Sequence, residues 1–241
     1  MQRLQIMARH RAVVAMALCG LAALLWLLTH APGWVWLTVP IGILAQYSNE
    51  YTLHRFIFHL PPPKAQWAFD LLYQAHYGHH DFPTKEGLFF VPIWVALPVL
   101  ALNFSLTLAI VTLLGVPQAG QVALAIVFVG GILTFLSYEW FHMTAHLNLP
   151  KTRLERYVTT LHNQHHFRDF ARWFHVSPGG EIIDRVMGTA INREALKSQQ
   201  RAAFIRTLGM RPDDARLVAA RARFAGRYAL SAAEMDVAAR V

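Results

Sequence analysis

Two long stretches of the sequence contain no lysine or arginine, and this feature constrains the fold more than any other. The first lies between Arg11 and Arg55 and the second between Lys85 and Lys151, although the chain carries 22 basic residues. Only 15% of the residues are charged, compared with about 25% in an ordinary soluble domain. The chain is therefore expected to be an integral membrane protein.

The two stretches contain four apolar segments, each close to the roughly 20 residues that a helix needs to cross the hydrocarbon core. They lie at residues 12–29, 34–53, 89–115 and 122–141, and a short turn separates the members of each pair. A cleaved signal peptide is the alternative for the first segment, but its apolar run is longer than such peptides usually have. We expect an all-α membrane protein with four transmembrane helices in two hairpins, forming a single domain over residues 1–241.

The positions of the basic residues predict the orientation of these spans. Cytoplasmic loops retain an excess of Lys and Arg, and here these residues precede the first span, lie in the middle loop or follow the fourth span. Both termini and the loop 59–88 are therefore expected on the cytoplasmic side. The Ala- and Arg-rich tail 193–241 predicts cytoplasmic helices near the membrane surface. No nucleic-acid-binding motif is visible, so the formal charge of +8 is attributed to topology and anionic lipid.

Ten of the 13 histidines fall where this topology brings them to the same side of the membrane. The apolar and basic patterns alone gave the topology, so this convergence supports it independently. We expect a cytoplasmic helical cap that carries these residues. In chain order they are His54, His59, His76, His79, His80, His142, His146, His162, His165 and His166.

The spacing of these histidines is typical of metal ligands. Residues three and four apart are neighbours on a helix, so the HxxHH motifs at 76–80 and 162–166 can each present three ring nitrogens. His54 and His59 are five apart, about 140° around an ideal helix, and require a helix end, a bulge or two different ions. Imidazole binds iron, zinc, copper and nickel. Ten imidazoles exceed what one ion can hold, so the sequence predicts a two-metal site with open coordination positions.

Other kinds of site fit the sequence less well. Cys19 is the only cysteine, which disfavours disulfides, iron–sulfur clusters and thiolate zinc sites. A haem would use only one or two histidines. Three carboxylates, Glu50, Glu139 and Asp81, lie close to histidines in sequence and are predicted to orient imidazoles by accepting a ring N–H; helix capping is the alternative. His175 is expected either to lie beside the ligands or to lie at the membrane interface.

The motifs "EYTLHRFIFHL", "HYGHHDFPTKEGLFFVP", "YEWFHMTAH", "HNQHHF" and "HVSPGGEIIDRVMGT" together resemble the fatty acid hydroxylase superfamily over about residues 45–190. Their order is most similar to the fatty acid 2-hydroxylase branch. The resemblance implies that the ten histidines hold two iron ions. All-histidine sites also bind zinc readily during purification. The resemblance also implies that the site uses dioxygen to hydroxylate an unactivated C–H bond of a lipid, foremost a fatty acyl chain at C2.

The resemblance leaves the substrate and the electron donor open. Nothing in the first 11 or last 50 residues resembles a cytochrome b5 domain, so electrons are expected from a separate cytochrome b5-like or ferredoxin-like partner. The segment "IIDRVMGT" has isoleucines where the family often has an aromatic residue before the aspartate. The alternatives are a lipid, sterol or carotenoid desaturase or hydroxylase, a lipid-headgroup hydroxylase, and a non-enzymatic metal-binding or transport protein.

Overall fold

The computed structural model of the chain describes residues 2–240, and all regular secondary structure in this range is helical. The chain divides into two compact units, Met1–Ala190 and Ile191–Val241. The expectation that residues 1–241 form a single domain stays a prediction. The first unit contains α1 (Gln2–Arg9), α2 (Arg11–His30), α3 (Val39–Leu53), α4 (Gln66–Leu72), α5 (Gly78–Asp81), α6 (Glu86–Phe89), α7 (Ile93–Leu113), α8 (Ala119–Leu124), α9 (Ile132–His146), α10 (Arg153–Phe167) and α11 (Glu181–Val186).

Among the described residues, three helical stretches are long and apolar enough to cross a membrane: Arg11–His30, Glu86–Leu113 and Ala119–His146. They coincide with three of the four predicted spans, and this agreement confirms the membrane-protein prediction at that level. Their apolar residues remain largely exposed, since Leu18, Leu106 and Leu113 are each more than half exposed. Such a surface is stable only when lipid rather than water covers it.

The second predicted span, residues 34–53, forms a less regular structure. It begins as the 3-10 helix Gly33–Thr38 and continues as α3, which is 15 residues long. The polar residues Gln46, Asn49 and Glu50 occupy its second half. The length and polarity of α3 explain why it does not qualify as a spanning helix by itself, and a fourth crossing stays a prediction.

Three helical stretches contain a π-helical segment, in which hydrogen bonds join residues five apart. These segments are His54–Phe58 after α3, Tyr73–Tyr77 between α4 and α5, and Ala125–Gly131 between α8 and α9. A π segment places one extra residue in a helical turn, and such segments often occur at functional sites. Two of the three contain candidate ligands: His54 begins the first, and His76 lies in the second.

The first unit is held together by a close crossing of α3 and the segment Ala125–Gly131. A Cβ atom added to Gly42 would lie 1.8 Å from the carbonyl oxygen of Ile126, and one added to Gly130 would lie 2.3 Å from that of Val39. The two backbones can approach this closely only because both positions lack a side chain. The crossing fixes α3, and therefore His54, relative to the helix that carries His142 and His146.

The second unit consists of α12 (Arg193–Thr207), α13 (Ala215–Tyr228) and α14 (Ala232–Arg240). Asn192 caps α12 by accepting hydrogen bonds from the backbone N–H groups of Glu194 and Ala195. Asp214 caps α13 through the N–H of Arg216. The tail thus forms three helices in the structure, and their position at a membrane surface stays a prediction.

Candidate metal centre

The ten predicted histidines come together in the first unit as two groups of five. In each group, one ring nitrogen from every histidine lies within 4.8 Å of the corresponding nitrogens of the other four. The first group comprises His54, His59, His76, His80 and His165, and the second group comprises His79, His142, His146, His162 and His166. All ten are histidines that the sequence predicts as ligands, and their binding of metal stays a prediction.

The first group joins residues from three separate parts of the chain. The Nε2 atom of His76 lies 3.0 Å from Nε2 of His59 and 2.9 Å from Nε2 of His80. The rings of His54 and His165 are 4.7 Å apart between centroids. Several ring nitrogens that point at one small volume form the arrangement expected around a cation.

The π-helical segment at the end of α3 explains how His54 and His59 reach the same group. The N–H of His59 donates to the carbonyl oxygen of His54 at 3.1 Å, which is an i to i+5 hydrogen bond. The wider turn brings two residues five apart onto one face, and the ring centroids are 5.0 Å apart. Of the three arrangements that the spacing allowed, the structure forms the bulge.

The second group is more deeply buried than the first. His142 and His146 come from α9, and Nε2 of His142 lies 2.9 Å from Nε2 of His79. Nε2 of His146 lies 2.8 Å from Nε2 of His162 on α10. The start of α10 is fixed by a capping box, in which Thr152 and Glu155 exchange hydrogen bonds between side chain and backbone.

Each HxxHH motif is divided between the two groups, so neither motif presents all three of its ring nitrogens to one group. His76 and His80 enter the first group, whereas His79 enters the second. On α10 the division is reversed, because His162 and His166 enter the second group and His165 the first. Residues four apart are separated by about 40° around a helix, whereas adjacent residues are separated by about 100°. The i and i+4 histidines therefore stay together, and the histidine between them faces the other group.

The two groups lie side by side. The rings of His80 and His166, one from each group, stack with centroids 4.2 Å apart and planes 19° apart. The rings of His165 and His166 are 5.6 Å apart. The ten histidines therefore form one continuous centre with two compartments.

Burial keeps these imidazoles neutral. Loss of solvent lowers the pKa of His59 to about 3, and the nearby His165 ring adds to this effect. The pKa of His80 falls to about 2 for the same reasons, and burial lowers the pKa of His165 to about 4. A neutral imidazole has one nitrogen with a free lone pair. At pH 7 these rings can therefore bind a metal ion without first losing a proton.

The residues present fit two metal ions. Buried ring nitrogens without a hydrogen-bond partner in the described part of the chain include Nε2 of His54, Nε2 of His165 and both nitrogens of His166. Unpartnered buried polar atoms are costly, and a cation would satisfy them. Two imidazole ligands on opposite sides of one ion lie about 4 Å apart, so each group is close to the size of one coordination sphere. The donor set is all nitrogen, which suits iron, zinc, copper or nickel.

Backbone carbonyls, not the predicted carboxylates, orient the first group. Nδ1 of His165 donates to the carbonyl oxygen of Arg172 at 2.7 Å, and Nδ1 of His54 donates to that of Phe174. A carbonyl can only accept, so Nδ1 carries the proton and Nε2 keeps the lone pair. Nothing in the sequence marks this segment, because a carbonyl acceptor has no sequence signature.

The three predicted carboxylates bind other groups. Glu50 accepts the backbone N–H groups of Val176 and Ser177, and Glu139 accepts that of Val91 at 3.0 Å. Asp81 accepts the hydroxyl of Tyr73 at 2.9 Å. In residues 2–240 none of them forms the predicted hydrogen bond to an imidazole. Buried backbone N–H groups of the neighbouring loops need an acceptor, and Glu50 and Glu139 supply it.

An apolar cavity reaches the first group from among the helices of the first unit. It has a volume of about 170 Å³, and α2, α3, α7 and α9 contribute to its wall. Val95, Leu100 and Phe135 line its length, while Glu50, His54 and Tyr138 lie at its wall near the centre. The cavity therefore connects the apolar interior of the helices with a candidate ligand.

The comparisons with known proteins agree with this geometry. The family model described as "Fatty acid hydroxylase" matches residues 39–189, which is more than half of the chain. The chain belongs to the fatty acid hydroxylase family. All ten histidines of the two groups lie within the matched residues.

Relatives in this family include named enzymes. Dihydroceramide fatty acyl 2-hydroxylase FAH2 of Arabidopsis thaliana is 32% identical over 164 residues, which cover 64% of this chain and 60% of that protein. Fatty acid 2-hydroxylase of Mus musculus is 27% identical over 163 residues, which cover 66% of this chain and 41% of that protein. This family member therefore matches less than two thirds of the length of either relative.

A solved structure supports the fold. The structure of full-length scs7p, in which only the hydroxylase domain is visible, superposes with a TM-score of 0.64 at 21% sequence identity. The match covers 74% of this chain and 65% of that chain. The helical fold is therefore shared with a hydroxylase domain of the family.

Proposed function

We propose that the chain is a membrane-bound lipid hydroxylase with two iron ions held by the ten histidines. One observation carries this proposal: ten histidines form two adjacent groups of five, and His54 of the first group lines an apolar cavity among the candidate spanning helices. Sites with open positions and all-nitrogen ligands suit redox-active iron. The names of the family relatives support hydroxylation as the reaction.

The proposed ligand assignment gives five histidines to each ion. His54, His59, His76, His80 and His165 would hold the first ion, and His79, His142, His146, His162 and His166 the second. When bound, the two irons would supply the activation of dioxygen, with electrons from a separate donor protein. The remaining steps concern what this chain does for its substrate.

The proposed substrate is a fatty acyl chain that enters from the membrane. Aliphatic and aromatic side chains form most of the cavity wall, so an acyl chain can pass from the bilayer into the cavity without being exposed to water. The cavity would hold the chain lengthwise, and the place where it meets His54 would determine which carbon comes close to the centre. Burial of the histidines excludes water from a reactive cofactor. We propose the carbon next to the carboxyl group, C2, as the site of hydroxylation, which is the position named for the relatives.

The centre is proposed to face the cytoplasm. The basic residues that predict this orientation flank the first candidate span and lie in the loop that carries His76, His79 and His80. A cytoplasmic centre would be reached directly by a soluble or membrane-anchored electron donor.

High-resolution mass spectrometry of total lipids tests the proposal. Cells grown in air would express the wild-type chain, the His80→Ala variant or the His30→Ala variant. His30 provides a matched control because it lies at the end of α2 and hydrogen bonds locally to Trp26 and Thr29. We expect lipids that are heavier by one oxygen atom with wild type and His30→Ala, and none with His80→Ala.

Other outcomes change the assignment. A product that lacks two hydrogens would make the chain a desaturase. Full activity of His80→Ala would contradict the ligand assignment. Equal lipid profiles in all three strains, with each chain present in the membrane and an electron donor co-expressed, would favour a metal-binding protein without oxidase activity.

A further inference from the structure

The segment 172–177, here called the strap, lies between the candidate ligands and the rest of the first unit. Its carbonyl oxygens at Arg172 and Phe174 accept hydrogen bonds from Nδ1 of His165 and His54. Between them, Trp173 has a φ of +61°. A bulky residue adopts this left-handed conformation only when its surroundings hold it there. The strap is therefore a fixed part of the site whose conformation depends on its contacts.

The strap serves one compartment of the centre and not the other. His54 and His165 both belong to the first group. In the second group, Nδ1 of His79, His162 and His166 has no hydrogen-bond partner in the part of the chain that the structure describes. Strap carbonyls therefore orient ligands of the first group only.

Asp184 on α11 holds the middle of the strap. Its Oδ1 accepts the N–H of Phe174 at 2.9 Å and the hydroxyl of Thr189 at 2.8 Å, and its Oδ2 accepts the N–H of His175 at 3.1 Å. The Asp184 side chain is fully buried. Buried hydrogen bonds to a carboxylate are among the stronger interactions in proteins. The carbonyl of Phe174 consequently keeps its direction toward His54.

His175 completes this arrangement as a cation. Its Nδ1 lies 2.9 Å from Oδ2 of Asp184, and its Nε2 lies 2.9 Å from the carbonyl oxygen of Tyr47 on α3. Both neighbours are acceptors, so hydrogen bonding at both nitrogens requires the protonated imidazolium. Burial opposes this charge, but the hydrogen bond to Asp184, the Glu50 carboxylate and the Tyr47 carbonyl together raise the pKa of His175. The ring thus links the strap to the helix that leads to His54.

We propose that Asp184 and His175 are positioning residues for the first metal site alone. They fix the strap carbonyls, and the carbonyls fix the tautomer and direction of His54 and His165. The inference rests on the proposed function in one respect, namely that the first group binds an ion. It adds that two sites of similar composition depend on different parts of the chain.

Titration of the metal-free full-length protein in detergent with Co²⁺, followed by calorimetry and visible absorption, tests the inference. Wild type is expected to bind two ions per chain. Asp184→Asn keeps the shape of the side chain but loses its charge, and it should weaken binding at one site by about 10- to 100-fold. His175→Gln should weaken the same site and leave the other unchanged, and the absorption bands of that one site alone should shift.

Glu155→Gln provides the matched control. Glu155 is also a buried carboxylate, but it binds Thr152, Trp140 and Arg3 at the start of α10, away from the strap. It should leave both Co²⁺ affinities unchanged even if it lowers the melting temperature. Far-UV circular dichroism and gel filtration identify folded variants, and His175→Gln carries the test if Asp184→Asn does not fold.

The outcomes separate this inference from the proposed function. If wild type binds no Co²⁺, the proposed metal centre fails and the inference fails with it. If wild type binds two ions and both strap variants bind them with wild-type affinity, only the inference is overturned. Equal weakening of both sites in the strap variants would also overturn it, because a general loss of packing would then be the cause.

Discussion

His79 and His80 are adjacent in the sequence, yet their rings belong to different compartments of the centre. Their separation follows from the 100° step between neighbouring helical residues. A single change in an HxxHH motif can therefore affect one compartment without removing a ligand from the other. Function at the scale of the residue depends on which side of the helix a ring occupies.

The depressed pKa values of the ligands predict how the metal-free protein responds to acid. The pKa of His59, His80 and His165 is lowered to about 3, 2 and 4, chiefly by burial, whereas an unfolded chain has about 6.5. Below pH 6.5 the unfolded state binds more protons, so the free energy of unfolding falls as pH falls. The loss is at most about 1.4 kcal/mol per histidine for each pH unit.

We expect the melting temperature of the metal-free protein in detergent to decrease from pH 6.5 to pH 4.5 and to stay nearly constant from pH 7.5 to pH 6.5. Scanning fluorimetry at these pH values measures it. A melting temperature that does not change down to pH 4.5 would show that the histidines are not buried as described.

At the residue scale, the sequence predicted which histidines come together but not the groups that orient them. The histidines were recognisable because their spacing matches helical geometry. His54 donates to a carbonyl more than 100 positions away along the chain, and His165 donates to one seven positions away. Both carbonyls belong to the strap, whose conformation includes Trp173 in the left-handed region. The carboxylates Glu50 and Glu139 were predicted to contact imidazoles because they are near them in sequence, but the folded loops direct them to backbone N–H groups.

At the scale of the element, the π-helical segments give the helices their unusual registers. His54–Phe58 contains the extra residue that places His54 and His59 on one face. Periodicity in the sequence identifies helices but does not show where a turn contains an additional residue, because the side chains of such a turn are ordinary. The sequence could therefore state the alternatives for this pair without choosing between them.

Changing the length of this segment tests its role. Deletion of Ile57, which is 44% exposed, should convert the π turn into an α turn and leave the two histidines four apart on the same face. Insertion of one alanine after Ile57 should rotate His59 by about 100° away from His54. The following loop, with Pro61, Pro62 and Pro63, can absorb a change of one residue. Co²⁺ titration should show two sites in the deletion variant, whereas in the insertion variant one of the two sites should be weakened. A weakened site in the deletion variant, with both sites unchanged in the insertion variant, would contradict the assignment.

The crossing of α3 and Ala125–Gly131 gives a second prediction at this scale. Gly130→Ala would place a methyl group against the carbonyl of Val39, whereas Gly120→Ala meets nothing within 4 Å. Both changes favour a helix by up to about 1 kcal/mol, so only the contact differs. Gly130→Ala should lower the melting temperature, and Gly120→Ala should leave it unchanged or raise it. Equal melting temperatures would mean that the two backbones are not in contact.

At the scale of the whole molecule, apolar length predicted four spanning helices, and three of them coincide with helices long and apolar enough to cross a membrane. The orientation predicted from charge stays a prediction. The fourth crossing depends on α3, whose polar second half lines the cavity beside the centre. A helix that both crosses the membrane and lines a site needs polar residues, so its sequence is less uniformly apolar than that of a simple span. This conflict explains why α3 is harder to assign than its neighbours.

Cysteine labelling measures the topology. In a Cys19→Ser background, Lys64→Cys lies before α4 and Pro117→Cys lies between α7 and α8, and both positions are exposed. With four crossings, a membrane-impermeant maleimide added to intact cells should label Pro117→Cys and should label Lys64→Cys only after the cells are opened. If α3 does not cross while the N-terminus stays inside, the two labelling patterns would be exchanged.

The position of the cavity has a consequence for how the protein would encounter its substrate. Because the cavity lies among helices that are long and apolar enough to cross a membrane, the relevant supply of the proposed acyl substrate would be its mole fraction in the bilayer rather than its amount per volume of solution. The rate should then follow the two-dimensional composition of the membrane. Addition of inert lipid at constant total substrate would slow turnover, whereas dilution of the whole suspension with buffer would leave the rate per protein unchanged.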